Sequence, residues 1–217
     1  MDRDPGQEAT MTRRAQFYWR FFGKPVGRTG RIGSRLMVRI NRRNYAAMAA
    51  ALDLRPDDEV LDVGCGSAVL LASHAGEARY VAGLDASDLQ LEVARRRLAD
   101  RLAAGTAELV KGDVAALPWP DGRFSVVTSM FCLKFVPDPL KALEEMHRVL
   151  RPGGRAVVAA CDALHDEKAS GSVDAWGQWR WSAADARLLM EKAGFTDVTA
   201  SVLGSPASQA VRGVREI

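Results

Sequence analysis

The strongest constraint on the fold is a change of hydrophobic period near residue 59. From there, short apolar runs alternate with helical stretches. Glu59–Val63, Arg79–Leu84, Ala107–Val110, Phe124–Ser129 and Arg155–Ala160 read as strands. Helices are predicted over 68–78, 88–103 and 140–150. Nearly continuous burial-type residues, as in Phe124-Ser125-Val126-Val127, suit strands covered on both faces. Strands alternating with helices therefore predict an α/β fold on a parallel sheet, with ligands held beyond the carboxyl ends of the strands. Ser182 followed by Asp185 three residues later is a capping-box pattern that opens a helix to Ala193, and Gly194 closes it. Thr196–Leu203 and Gln209–Arg215 read as two last strands.

The 217 residues suit one domain, and 47% hydrophobic content excludes general disorder. No stretch approaches the roughly 18 apolar residues of a spanning helix. The polar start Met1-Asp2-Arg3-Asp4-Pro5 lacks the apolar core of a secretory signal. Cys65, Cys132 and Cys161 read as free thiols, so a reducing, cytoplasmic setting is expected. Charge is uneven: residues 1–43 hold eleven Lys/Arg against three acids, and the remainder nineteen against twenty-four. The division expected is a basic helical arm or cap at 1–52 and a ligand-binding body at 53–217. Within the arm, Arg13–Phe22 reads as a helix with Phe17, Tyr18, Phe21 and Phe22 on one side. Gly23–Gly27 breaks it, and a second helix is predicted from Ser34 to Leu52.

Asp62-Val63-Gly64-Cys65-Gly66-Ser67 joins the first strand to the first helix of the body. Glycines there let the backbone turn sharply and approach a ligand. The dinucleotide fingerprint needs Gly or Ala at its sixth place, and Val69 stands there instead. A carboxylate two residues before the first glycine, Asp62, would repel a pyrophosphate but accept from the ammonium of a methionine moiety. Asp85, ending the second strand, is placed to take both hydroxyls of a ribose. Asp113, after the third, can accept an adenine amino group, with the Val114 N–H serving a ring nitrogen. Three acids on the ligand edge of successive strands point to S-adenosylmethionine.

The chain resembles the class I S-adenosylmethionine-dependent methyltransferases, in the broad group that includes quinone-biosynthesis and small-molecule enzymes. The resemblance spans about Asp57 to Val198. It rests on Val60-Leu61-Asp62-Val63-Gly64-Cys65-Gly66, Gly83-Leu84-Asp85-Ala86-Ser87 and Gly112-Asp113-Val114-Ala115-Ala116-Leu117-Pro118-Trp119-Pro120-Asp121. Glu145-Met146-His147-Arg148-Val149-Leu150-Arg151-Pro152-Gly153-Gly154 and Leu189-Met190-Glu191-Lys192-Ala193-Gly194-Phe195 complete it. It implies a Rossmann-like, seven-stranded, mostly parallel sheet in the order 3-2-1-4-5-7-6, with the N-terminal helices as a cap over the cofactor. The cofactor set expected is Asp62, Gly64, Cys65, Gly66, Asp85, Ala86, Gln90, Asp113, Val114, Ser129 and Met130, joined by Tyr18 of the arm. Three departures stand out. Ala68 replaces the third glycine of the family loop, Ser125 replaces the usual Asp of the fourth strand, and Leu133-Lys134-Phe135 stands where many relatives carry a His.

Methyl transfer from a sulfonium is an in-line displacement, governed by alignment and exclusion of water. His165 is the general-base candidate, since its pKa suits neutral pH; no metal is called for. Phe17, Phe21, Cys132, Lys134, Trp176 and Trp179 are the candidate acceptor contacts, and Trp181 extends that tryptophan cluster. His74 and His147 fall in helices and are assigned to packing or solvent. The leading reading is methylation of a small-molecule acceptor. The basic arm keeps a nucleic-acid methyltransferase as the alternative, although Ser129-Met130-Phe131-Cys132 lacks the Pro-Pro turn of base-amino methylators. A non-catalytic binder of the cofactor is a third reading, and an oxidoreductase a distant fourth. Contact with a membrane surface and a homodimer stay open.

Overall fold

The computed structural model describes residues 27–161 and 182–217. Its elements run α1 (Gly27–Ile40), α2 (Arg42–Leu52), β1 (Glu59–Val63), α3 (Val69–His74), β2 (Tyr80–Asp85), α4 (Asp88–Arg97) and α5 (Ala99–Ala103). Then come β3 (Ala107–Lys111), β4 (Phe124–Met130), α6 (Pro139–Val149), β5 (Leu150–Cys161), α7 (Ala183–Lys192), β6 (Thr196–Leu203) and β7 (Ser205–Val214). The seven strands form one sheet in the order β3-β2-β1-β4-β5-β7-β6. All neighbours are parallel except β7, which runs antiparallel to both β5 and β6. The expected order and the one reversed strand are both present.

Successive residues of a strand point to opposite faces, and the core divides accordingly. Leu61, Val63 and Val127 join the cluster that holds Leu143 and Met146 of α6 and Met190 of α7. Val60, Val126 and Val157 join the cluster that holds Met48 and Leu52 of α2, Leu70 and Leu71 of α3 and Leu91 of α4. The reversal of β7 follows from its connection. A two-stranded hairpin turning at Gly204 (φ +60) returns β7 between β5 and β6, where a parallel strand would need a helical crossover.

Several boundaries differ from the sequence reading. The helix predicted at 34–52 is two helices, beginning at Gly27 and kinked at Asn41, whose Nδ2 donates to the Met37 carbonyl at 3.1 Å. The helix predicted at 88–103 divides at Leu98, which leaves helical dihedrals (φ −101, ψ 16) with its side chain buried. The helix after the glycine loop is only Val69–His74, and β5 starts at Leu150 rather than Arg155. The Ser182–Asp185 capping box is present with both reciprocal bonds. Met48 and Leu52 of α2 are fully buried on the sheet face, and Tyr45 of the same helix packs in the cluster that contains Cys65 of the glycine loop.

The end of α2 is tied to the sheet by a buried ion pair. Arg155 of β5 donates to Asp58 Oδ2 at 2.6 Å and to the Leu52 and Asp53 carbonyls at 2.7 and 2.6 Å. The hydroxyl of Ser125 donates to Asp58 Oδ1 at 2.7 Å and accepts from the Glu59 N–H at 2.9 Å. Position 125 thus holds a neutral donor where the resemblance expects an acid, and Asp58 is the carboxylate in this cluster.

Candidate cofactor site

The site is built at the carboxyl edge of β1, β2 and β4, where each strand hands over to a loop. Beyond Val63, Gly64 turns with φ +75 and Gly66 with φ +53, a region that costs an L-residue roughly 1–2 kcal/mol. Gly64 is needed for space as well, because a Cβ there would lie 2.2 Å from Cys132 Sγ. The Gly64 and Cys65 N–H groups both donate to the Leu84 carbonyl, at 2.8 and 3.0 Å, which ties the loop to the end of β2. Ala68 also adopts a left-handed conformation (φ 54), so the third glycine of the family loop is replaced by a residue held against its preference.

Asp85 organises this edge. Its Oδ2 accepts from the Gly66 N–H and its Oδ1 from the Ser87 N–H, both at 2.8 Å. Burial pushes its pKa up, against the opposing effect of those two N–H groups. Each oxygen keeps a lone pair for a further donor. Beyond Asp85, Ala86 is half-buried, and Gln90 lies near Gly66, with Nε2 3.7 Å from where a Gly66 Cβ would stand.

Asp62 is 3% exposed, and its Oδ1 has no hydrogen-bond partner. Burial, then the charge of Asp85, pushes its pKa from 3.8 up to about 7. Thr128 is its register partner on β4, and Thr128 Oγ1 is also buried without a partner. Two such atoms side by side cost the fold stability unless a ligand or water meets them.

Asp113 folds back on its own loop: its Oδ1 accepts from the Ala115 N–H at 2.9 Å. The side chain of Val114 enters the core. The loop is held from below by α6. Glu145 accepts from the Leu117 N–H at 2.9 Å, and Arg148 donates to the Leu117 and Trp119 carbonyls, each at 2.9 Å. Trp119 donates its Nε1–H to Glu108 at 2.6 Å. The Glu145–Gly154 and Gly112–Asp121 segments are thus joined by side-chain to backbone hydrogen bonds.

After β4, Phe131 takes φ 58, a strained conformation for an aromatic residue at this edge. Lys134 stands over the rings of Phe131 and Phe135, at 5.9 and 5.1 Å. Ser129 points inward, its hydroxyl donating to the Val63 carbonyl at 2.8 Å, so it braces β1 against β4. Met130 is partly buried, and Cys65 and Cys132 are free thiols whose pKa values burial raises, which makes them poor nucleophiles. His147 packs edge-on against Phe195 at 5.0 Å, as expected of a packing residue. His165, Trp176, Trp179, Trp181, Phe17, Tyr18 and Phe21 lie outside the described residues.

Two participants escaped the sequence reading. Tyr45 of α2 is partly buried in the core cluster that contains Cys65. Burial, then Asp62, pushes its pKa up to about 12. Arg97 of α4 donates to the Ser67 carbonyl at 2.7 Å and fastens the far end of the glycine loop. No local pattern signals Tyr45; Arg97 reads only as one of three consecutive arginines within the helix predicted at 88–103.

Residues 61–158, the span from β1 to β5 that carries Asp62, the glycine loop, Asp85 and Asp113, match the methyltransferase domain family. Over those residues the chain carries a methyltransferase domain. This methyltransferase domain is 40% identical over 111 residues to the demethylmenaquinone methyltransferase of Staphylococcus epidermidis, covering 50% of this chain and 45% of that protein. It is 41% identical over 107 residues to the Lysinibacillus sphaericus enzyme of the same name, covering 48% and 44%. The chain therefore spans less than half the length of these relatives. Among solved structures, an S-adenosylmethionine-dependent methyltransferase from Thermotoga maritima aligns with a TM-score of 0.64 at 22% identity, over 84% of this chain and 94% of that one. The [4+2]-cyclase SpnF aligns with a TM-score of 0.64 at 19% identity, over 85% and 82%. At these identities the structures establish the fold.

Proposed function

We propose that this domain methylates a small-molecule acceptor in the cytoplasm. The observation that carries the reading is the edge built by Gly64, Gly66, Asp85 and Asp62, with its buried, unpartnered carboxylate oxygen. These residues fit S-adenosylmethionine. Asp85 would hold the ribose, the Asp113–Val114 loop the adenine, and Asp62 the ammonium of the methionine end. When bound, the cofactor supplies an electrophilic methyl group on a sulfonium. The chain's part is to seat the acceptor in line and keep water out. Phe131, Cys132 and Lys134 border the acceptor side. His165 is the proposed group for holding an acceptor proton. Demethylmenaquinone, named in the activity of the relatives, heads the acceptors to test.

The test is a thermal-shift and turnover experiment. S-adenosylhomocysteine at about 100 times its Kd should stabilise the protein by about 2.7 kcal/mol, and NAD should not. Turnover is read as release of the homocysteine nucleoside against a metabolite panel. No shift at millimolar nucleoside overturns the cofactor assignment. A shift without turnover on any acceptor favours a binder that does not transfer methyl groups.

The pKa of Asp62 adds a pH dependence. In the ligand-free protein the folded state holds this proton more tightly than the unfolded chain, so Asp62 costs stability as pH rises from 3.8 to about 7. An ammonium ligand requires the ionised carboxylate. Affinity for S-adenosylhomocysteine is therefore expected to rise about tenfold between pH 6 and pH 8. Calorimetry should show that rise in the native protein and its loss in Asp62→Asn.

A further inference from the structure

We infer that α1 is a docking element for an anionic lipid surface. Gly30 and Gly33 are buried, and the helix packs against α2 and α4. Away from that contact, Ile32, Leu36 and Ile40 are 62%, 47% and 60% exposed. Spaced i, i+4, i+8, they form one aliphatic stripe across an arc of roughly 80°. They are three of the six exposed large hydrophobic side chains among the described residues, gathered on one helix. Single exposed apolar residues need no explanation, but a contiguous stripe marks a contact.

Charge decides what the contact is. Between Glu8 and Asp53 the sequence holds ten Lys/Arg and no Asp or Glu. Arg39, Arg42 and Arg43 are exposed at and just beyond the end of the same helix. A second copy seated through this face would set like charges against each other. A nucleic acid would meet the arginines but leave the aliphatic stripe in water. An anionic bilayer satisfies both, with phosphate headgroups for the guanidinium groups and the acyl boundary for Ile32, Leu36 and Ile40. α1 is too short and too charged to cross a membrane; among the described residues no helix meets that requirement. It would lie in the interface and hold the domain there reversibly. This inference is independent of which acceptor is methylated.

The test is sedimentation of the full chain with vesicles. Those of phosphatidylcholine and phosphatidylglycerol at about 7:3 should carry the protein down, and pure phosphatidylcholine should not. Leu36→Glu with Ile40→Glu should lower partitioning at least tenfold, as should Arg39→Glu with Arg43→Glu. All four positions are exposed and lie outside the cofactor residues, so the thermal shift with S-adenosylhomocysteine should persist in both variants. Equal partitioning into both kinds of vesicle, or no partitioning, overturns the inference. So does tight RNA binding that survives Leu36→Glu with Ile40→Glu, or a dimer that this variant splits.

Discussion

Asp85→Ala is expected to weaken S-adenosylhomocysteine binding by at least tenfold while the domain stays folded. A hydrogen bond to a charged acceptor contributes about 1.5–3 kcal/mol. Asp85 offers such bonds twice over. It already accepts from Gly66 and Ser87, which shapes the glycine turn, and each oxygen keeps a lone pair for a further donor. Removing the carboxylate deletes the ligand contacts and releases the turn that places them. Asp85→Asn keeps one oxygen acceptor and should fall between the two. Calorimetry measures the affinities, and circular dichroism checks the fold. An unchanged Kd in Asp85→Ala would place the ribose elsewhere.

Arg155→Met should produce the largest loss of stability, about 3–5 kcal/mol. Arg155 and Asp58 are 8% and 1% exposed, and the guanidinium also satisfies the carbonyls that end α2. The variant leaves a buried carboxylate without its cation and two carbonyls without donors. Burial alone would raise the pKa of Asp58. Hydrogen bonds from Arg155, Ser125 and the Arg55 N–H outweigh it and hold the pKa below 3.8. The stability Asp58 contributes is thus present above that value and is lost as pH falls through the folded pKa. Urea unfolding at pH 7 should show the full loss in Arg155→Met. A matched apolar pair, Arg155→Met with Asp58→Leu, should recover part of it, because neither charge is then buried alone. A loss below about 1 kcal/mol would mean that water reaches the pair.

Much of the methyltransferase domain was legible in the chain. The central strands declare themselves because burial on both faces demands nearly uninterrupted apolar residues, as in Phe124–Val127. The three acids declare themselves because Asp62 and Asp85 stand at the ends of β1 and β2 and Asp113 just past β3, and an open parallel sheet presents those ends on one edge. The capping box at Ser182 is local chemistry, complete within four residues.

Other features needed the third dimension. Nothing in the run from Arg42 to Leu52 says which of its residues meet the sheet. The choice was made by Met48 and Leu52 meeting Val60, Val126 and Val157, and by Arg155, about one hundred residues away, reaching the end of that helix. The hydroxyl of Ser129, one of the expected cofactor residues, donates to the Val63 carbonyl, a partner that no local pattern names. Tyr45 carries no motif and joins the site only through packing. The sequence by itself determined the α/β class, the ligand edge and the residue types that line it, because these follow from period and spacing, while the strand order was implied only by the family resemblance. Which of those side chains faces the ligand, which braces the sheet, and where α2 lies were decided by the tertiary structure. Those outcomes depend on contacts between residues distant in the chain, and no local pattern encodes them.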